Sequence, residues 1–173
     1  MNSARVIADT SVLVNYLTGG AENDDPKWFD HSKWIFEAHD SGAHKIVVPA
    51  IVIAEVAGCG EVRGNHLDRR IKHQRITRVR KWVAKRDFLP VEISQTLAEE
   101  ATELAITYQL TGADACILAA AVRHDCRVLY TWDRGLLKVG NKVNGVQVQQ
   151  PERMLPDQGE LEFGSAPDTA AQE

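Results

Sequence analysis

The sequence predicts an α/β layer fold in which a mainly parallel sheet is covered by helices on both faces. Short β-branched runs recur along the chain, stretches of helical periodicity alternate with them, and capping residues, glycines and prolines fall at the joins.

Arg5-Val6-Ile7-Ala8 reads as a buried strand. It runs into Asp9-Thr10-Ser11, whose short polar side chains suit a helix N-cap, and then into an apolar first helix, Val12 to Leu17, stopped by Gly19-Gly20. Ala21 to Lys27 is polar and reads as a loop, followed by an amphipathic helix carrying Trp28, Trp34, Ile35 and Ala38 and closed near Gly42. Lys45 to Val48 is a second strand. After Pro49, the segment Ala50 to Gly58 fits strand or helix by periodicity, and its proline start and glycine stop favour helix. A long amphipathic helix is expected over Asp68 to Arg86, with Ile71, Val79, Trp82 and Val83 inward, and another from Ser94 to Tyr108. Thr111 opens an alanine-rich helix reaching His124. Arg127 to Thr131 is the next strand and Val146 to Val148 a last short one. These elements make one domain over residues 1–150, and the Pro-, Gly- and acid-rich composition of 151–173 predicts a flexible tail.

At 173 residues the chain is long enough for one ordinary domain with a real core. Cys59, Cys116 and Cys126 are an odd, widely spaced set that suits no disulfide framework, and no signal-peptide pattern opens the chain, so a reducing cytoplasm is expected. The longest apolar stretch, Ile46 to Ala57, is broken by Pro49 and Glu55 and too short to span a bilayer, so no membrane is expected.

Four carboxylates carry the chemistry. Asp9 and Asp133 fall just past strand ends, where ligands bind in parallel sheets, and Glu55 and Asp114 sit on helices able to lean over the same edge. Each has a structural explanation. Asp9 suits a helix cap, Asp114 a capping box with Thr111, and Asp133, before Arg134-Gly135, a turn. Glu55, surrounded by Ile51 to Ala57, resists that treatment because a carboxylate in apolar surroundings needs a partner. Together the four would repel one another unless a cation neutralised them, and hard oxygen donors suit Mg²⁺ or Mn²⁺. Such an ion supports in-line attack on a phosphodiester. Ser11 and Thr131, each two residues from an acid, are placed to orient a carboxylate or a water. Asn15 is either a further polar contributor or an ordinary polar residue of the first helix.

The net charge of −4 hides an asymmetry, because half of the chain's 20 Lys and Arg fall between Arg63 and Arg86 with Asp68 the one acid between them. Arg69, Arg70, Lys72, Arg75, Arg78 and Lys81 are candidate phosphate contacts, against the alternatives of a solvated face or a surface that docks an acidic partner. His66 and His73 read as ordinary surface residues, and His124 with Cys126 is too sparse for zinc.

In this order, the segments Ile-Ala-Asp-Thr-Ser-Val-Leu-Val (7–14), Pro-Ala-Ile-Val-Ile-Ala-Glu-Val (49–56), Gly-Ala-Asp-Ala-Cys-Ile-Leu-Ala-Ala-Ala (112–121) and Val-Leu-Tyr-Thr-Trp-Asp-Arg-Gly-Leu (128–136) resemble the sequence blocks of PIN domains, over about residues 5–150. The sequence is most similar to the VapC-type toxins of bacterial toxin–antitoxin pairs. The resemblance implies a PIN-like three-layer α/β/α fold and a Mg²⁺- or Mn²⁺-dependent endoribonuclease, commonly dimeric and inhibited by an antitoxin. It carries the acidic positions to Asp9, Glu55, Asp114 and Asp133 and the hydroxyl to Thr131. The segment around Trp28 to Trp34, the tail after Pro151 and the bulk of Trp132 depart from a minimal toxin.

Two other classes fit worse. A haloacid-dehalogenase-type phosphohydrolase resembles Asp-x-Asp after the first strand, and Ser11 stands at the second position. A dinucleotide-binding domain lacks its Gly-rich fingerprint here. The alternative retained is a catalytically silent PIN-like module that binds RNA or protein.

Overall fold

The computed structural model describes residues 3–20, 25, 27–143 and 145–152. Five strands, β1 (Ala4–Ala8), β2 (His44–Pro49), β3 (Leu89–Val91), β4 (Cys126–Tyr130) and β5 (Gln147–Gln149), form one sheet in the order β3-β2-β1-β4-β5 with every neighbouring pair parallel. The helices are α1 (Thr10–Thr18), α2 (Lys27–Asp40), α3 (Ala50–Gly58), α4 (Gly60–Arg63), α5 (Arg69–Lys85), α6 (Gln95–Tyr108), α7 (Gly112–Arg123) and α8 (Arg134–Leu137). This is the three-layer α/β/α arrangement expected, with a fully parallel sheet.

Strands β1, β2 and β4 bury Val6, Ile7, Ile46, Val47 and Leu129, and α7 lays Ala115 and Ile117 to Ala121 against them. The alanines let that helix approach the sheet closely, as a parallel sheet buried on both faces requires. Helix ends follow their caps. Asp68 accepts from Ile71 N–H at 3.0 Å and Ser94 from Leu97 N–H at 3.2 Å. Gly19 ends α1 at φ 68°, a left-handed conformation that glycine reaches without steric cost.

Four elements differ from expectation. β3 was not foreseen. It is a three-residue edge strand containing Pro90, and proline is tolerated in a sheet at such an edge. The four-residue helices α4 and α8 were also not foreseen, being too short to show a period. The long helix α5 begins where expected but buries no residue completely. It rests on the core through Ile76, Val79 and Trp82, rather than through Ile71 and Val83. Trp82 anchors it against Tyr16, Phe36 and Phe88, with ring centroids 5.6, 5.7 and 5.7 Å away.

Pro151 is buried and its carbonyl lies 3.1 Å from His31 Nδ1, so packing reaches one residue past the expected domain end. The rest of the predicted tail, from 153, and most of the predicted 21–27 loop lie outside the described residues. Among the described residues no single helix is long and apolar enough to cross a membrane.

Candidate active site

In the strand order the chain runs outward one way through β1, β2 and β3 and the other way through β4 and β5. The reversal lies between β1 and β4, and the crevice beyond the carboxyl ends of such a pair is where parallel sheets bind ligands. Asp9 follows β1 there, and Thr131 and Asp133 follow β4, with the Asp9 N–H donating to the Tyr130 carbonyl at 2.9 Å. Helix α3 starts directly after β2, bringing Glu55 to the same edge. Helix α7 ends just before β4 begins, so it runs back along the sheet and its first turn, with Asp114, starts at this edge too.

Asp9 is the hub. It is 3% exposed. The Ser11 hydroxyl donates to its Oδ2 at 2.7 Å, the Thr131 hydroxyl at 2.8 Å and the Ser11 N–H at 3.4 Å. Each hydroxyl also accepts from the turn after β4, Ser11 from Trp132 N–H and Thr131 from Asp133 N–H, both at 2.9 Å. The two hydroxyls therefore tie that turn to the carboxylate and fix its orientation. Three donors converge on Oδ2.

Desolvation pushes the Asp9 carboxyl above the ordinary carboxylate range, against the hydrogen bonds from Ser11, Thr131 and Thr10, which pull it down. Among the described residues no Lys, Arg or His pairs with it. A buried carboxylate held by neutral donors alone is stabilised by taking up a proton or by gaining a cation.

The other three acids are less enclosed. Glu55 is half-buried and takes the Thr10 hydroxyl at 2.6 Å, so it reaches Asp9 through the adjacent residue. This corrects the expectation of a carboxylate buried in an apolar helix: α3 buries Val52 and Val56 fully and turns Glu55 toward α1. Thr10 is a contributor that sequence reasoning missed, and its place beside Asp9 was the available signal. Asp133 is exposed and caps α8, accepting from Leu136 N–H at 2.9 Å. Asp114 is half-buried and takes the Thr111 hydroxyl at 2.7 Å, while Thr111 caps α7. The cap weighed for Asp9 is therefore real, Asp133 caps α8 where a turn was expected, and Asp114 pairs with Thr111 through its hydroxyl; each leaves carboxylate oxygen to spare.

Hydrogen bonds join the side chains of Asp9, Ser11 and Thr131, with Asp133 tied in through its backbone N–H; Glu55 is bonded to Thr10, the residue next to Asp9, and Asp114 stands at the same sheet edge outside the network. Among the described residues, no three His, Cys, Asp or Glu side chains stand close enough together to hold a metal. The donor set is nevertheless of the kind a hard divalent ion uses. Where Mg²⁺ binds proteins it keeps several waters and takes as few as one or two carboxylates directly.

Of the six basic candidates on α5, Arg69, Arg70, Arg78 and Lys81 line one open face together with His73, Gln74 and Thr77. Lys72 and Arg75 do not line it, and Arg75 donates to the Glu61 carbonyl at 3.3 Å.

No curated protein matches the chain by sequence. Among solved structures, a toxin–antitoxin complex from Klebsiella pneumoniae is similar at TM-score 0.59 and 23% identity, covering 86% of this chain and 99% of that one. Mycobacterium tuberculosis VapC20, described as a sarcin–ricin loop cleaving toxin, is similar at TM-score 0.54 and 16% identity, covering 75% and 90%. FitAB bound to an IR36 DNA fragment is similar at TM-score 0.59 and 18% identity, covering 88% and 99%. At these identities the likeness is one of fold. The PIN domain family model matches residues 6–142, most of the chain and every element that builds the carboxylate edge. The chain belongs to the PIN domain family.

Proposed function

We propose that this protein is a Mg²⁺- or Mn²⁺-dependent endoribonuclease that hydrolyses RNA phosphodiester bonds. We further propose that it is the toxin of a type II toxin–antitoxin pair, acting in the cytoplasm as a homodimer and restrained by an antitoxin. The observation that carries the reading is Asp9: buried at the switch point, oriented by two hydroxyls and, among the described residues, provided with no cationic side chain. Support for the toxin assignment comes from the family and from structural neighbours described as toxin–antitoxin proteins.

Asp9 would hold the ion, with Asp133, Glu55 and Asp114 as the further carboxylates around it and its waters. When bound, such an ion supplies an activated water and neutralises charge developing on the attacked phosphate. Ser11 and Thr131 are positioning residues, since their protons are committed to Asp9 Oδ2. The face of α5 bearing Arg69, Arg70, Arg78 and Lys81 would contact RNA phosphates, with Lys72 and Arg75 as weaker contributors.

The test is cleavage of a labelled RNA with Mg²⁺ or Mn²⁺, with and without chelator. Chelator and Asp9→Asn should each stop cutting while RNA binding persists. Cutting that survives both refutes the mechanism. The second reading, a catalytically silent PIN-like module binding RNA or protein, is favoured by the open spacing of the carboxylates. It predicts binding with no metal-dependent cutting.

A further inference from the structure

Beside the carboxylate edge lies a cleft of about 290 Å³ lined by Ser11, Val14, Asn15, Thr18, Trp28, Trp132 and Asp133. Two features of it are unexplained by the chemistry above. First, Asn15 is 4% exposed, and neither its amide nitrogen nor its amide oxygen has a hydrogen-bond partner among the described residues. Buried polar groups are nearly always satisfied, so an amide with both ends open marks something left unbound. Second, Trp28 and Trp132 form a parallel stack, with centroids 4.4 Å apart and planes 5° apart. Trp132 is fixed by its indole N–H, which donates to Ser32 at 2.8 Å, while Trp28 is half-buried.

Of the remaining polar groups of the cleft, the two hydroxyls are committed and Asp133 keeps one oxygen free among the described residues. The Ser11 hydroxyl serves Asp9 and Trp132 N–H, the Thr18 hydroxyl donates to the Val14 carbonyl at 2.9 Å, and Asp133 Oδ1 accepts from Leu136 N–H. What the cleft offers a ligand is therefore an aromatic wall, the second carboxylate oxygen of Asp133 and, buried within its lining, one unpaired amide carrying a donor beside an acceptor. That pairing matches the edge of an unpaired nucleobase, which carries donors and acceptors side by side around a flat π-face. A cleft at the small end of ligand pockets, roughly 300 Å³, admits one ring system and excludes a duplex.

We propose that this cleft is a base-reading subsite: it takes the unpaired nucleobase flanking the scissile phosphate, with Asn15 hydrogen-bonding the base edge and Trp28 stacking on it. The inference rests on the endoribonuclease reading. Ser11 lines the cleft and also contacts Asp9 at 2.7 Å, so base reading and phosphate chemistry would lie side by side. The segment around Trp28 and the bulk of Trp132, departures from a minimal toxin, would then be what builds the subsite.

Two experiments separate this inference from its parent. In chelator, without cutting, each of the four nucleoside 5′-monophosphates is titrated into ¹⁵N-labelled protein, and the Asn15 side-chain amide signals, identified by their loss in Asn15→Leu, are followed. The subsite predicts that those signals shift with at least one nucleotide and that Trp28→Ala weakens the effect roughly ten-fold or more. Signals unmoved by all four overturn the inference, whether or not RNA is cut. Next, cut sites in a randomised single-stranded RNA are sequenced with Mg²⁺. Asn15→Leu keeps nearly the same volume and removes the unpaired amide, so it should fold at least as well as the parent. It should flatten base preference at one position beside the cut and raise KM more than it lowers kcat. An unchanged base profile in both variants overturns the inference while leaving the nuclease reading intact. Failure of the unsubstituted protein to cut any RNA removes the parent reading instead.

Discussion

The carboxylate edge and helix α5 are both charged, and they handle charge in opposite ways. At the edge, Asp9 is withdrawn from water, clamped by two hydroxyls and pushed toward the protonated form by burial. On α5, eight basic residues are spread over a helix with no fully buried residue, held to the core chiefly by Trp82. A desolvated charge interacts strongly, at short range and with one geometry. A solvated stripe interacts weakly, at long range and with little sequence information. Under the proposed function, chemistry belongs to the first region and RNA attraction to the second, and the contrast can be broken at either end.

The largest effect is expected at Asp9. Asp9→Asn should cost on the order of a thousand-fold or more in cleavage rate, read in single-turnover assays. The same change should raise the melting temperature of the metal-free protein. The sign follows from linkage: with its folded-state value raised, Asp9 binds a proton more tightly folded than unfolded, so stability falls as pH rises from the ordinary carboxylate range through the raised value. Removing the charge removes that penalty. Loss of stability in the metal-free variant would mean that Asp9 is a helix cap and little else.

Next come the hydroxyls. Thr131→Ala and Ser11→Ala should each lower activity about 10- to 100-fold, as substitutions behind a metal ligand do. Their loss should be visible in Mn²⁺ affinity as well as in rate. Effects on rate alone would mean that the hydroxyls touch substrate directly.

On α5, charge reversal at Arg70, Arg78 and Lys81 should weaken RNA binding and flatten its salt dependence. The log–log slope should fall by about 0.7 for each single-strand phosphate that the helix no longer neutralises. Arg75→Glu, at a side chain tied to the Glu61 carbonyl, should change the slope less. Equal slopes throughout would return this helix to a solvated face.

The smallest effect lies away from both regions. Burial holds His44 below the ordinary histidine range, with its Nε2–H donating to the Ile35 carbonyl at 2.9 Å. The unfolded chain therefore binds that proton more readily, so stability is intact above the ordinary histidine value and declines as pH falls through it. Urea unfolding between about pH 7.5 and 5.5 should show the decline, and His44→Gln should reduce it.

Much of this was legible in the sequence because local chemistry and global position agreed. Ile7-Ala8-Asp9-Thr10-Ser11 encodes a buried strand, a cap and a helix start within five residues, and the structure uses all three. Ser11 and Thr131 were found from their two-residue spacing to an acid. What escaped depended on distant partners. The proline inside Leu89-Pro90-Val91 hides a strand that exists because β2 is beside it. The half-exposure of Glu55 depends on Thr10, 45 residues earlier. Asn15 looks like any polar residue on a short helix, and nothing in the sequence shows that both ends of its amide are buried without partners among the described residues. The spacing of the four acids was beyond reach for the same reason, since it is set by how far α3 and α7 sit from the sheet edge.

The most direct measurement is a Mn²⁺ titration of the metal-free protein and of Asp9→Asn, followed by water-proton relaxation. The account predicts saturable binding to the parent protein that is abolished, or weakened well beyond about a hundred-fold, in the variant. Equal Mn²⁺ binding by the two proteins, or none by either, would contradict the claim that the buried aspartate at the switch point exists to hold a divalent cation.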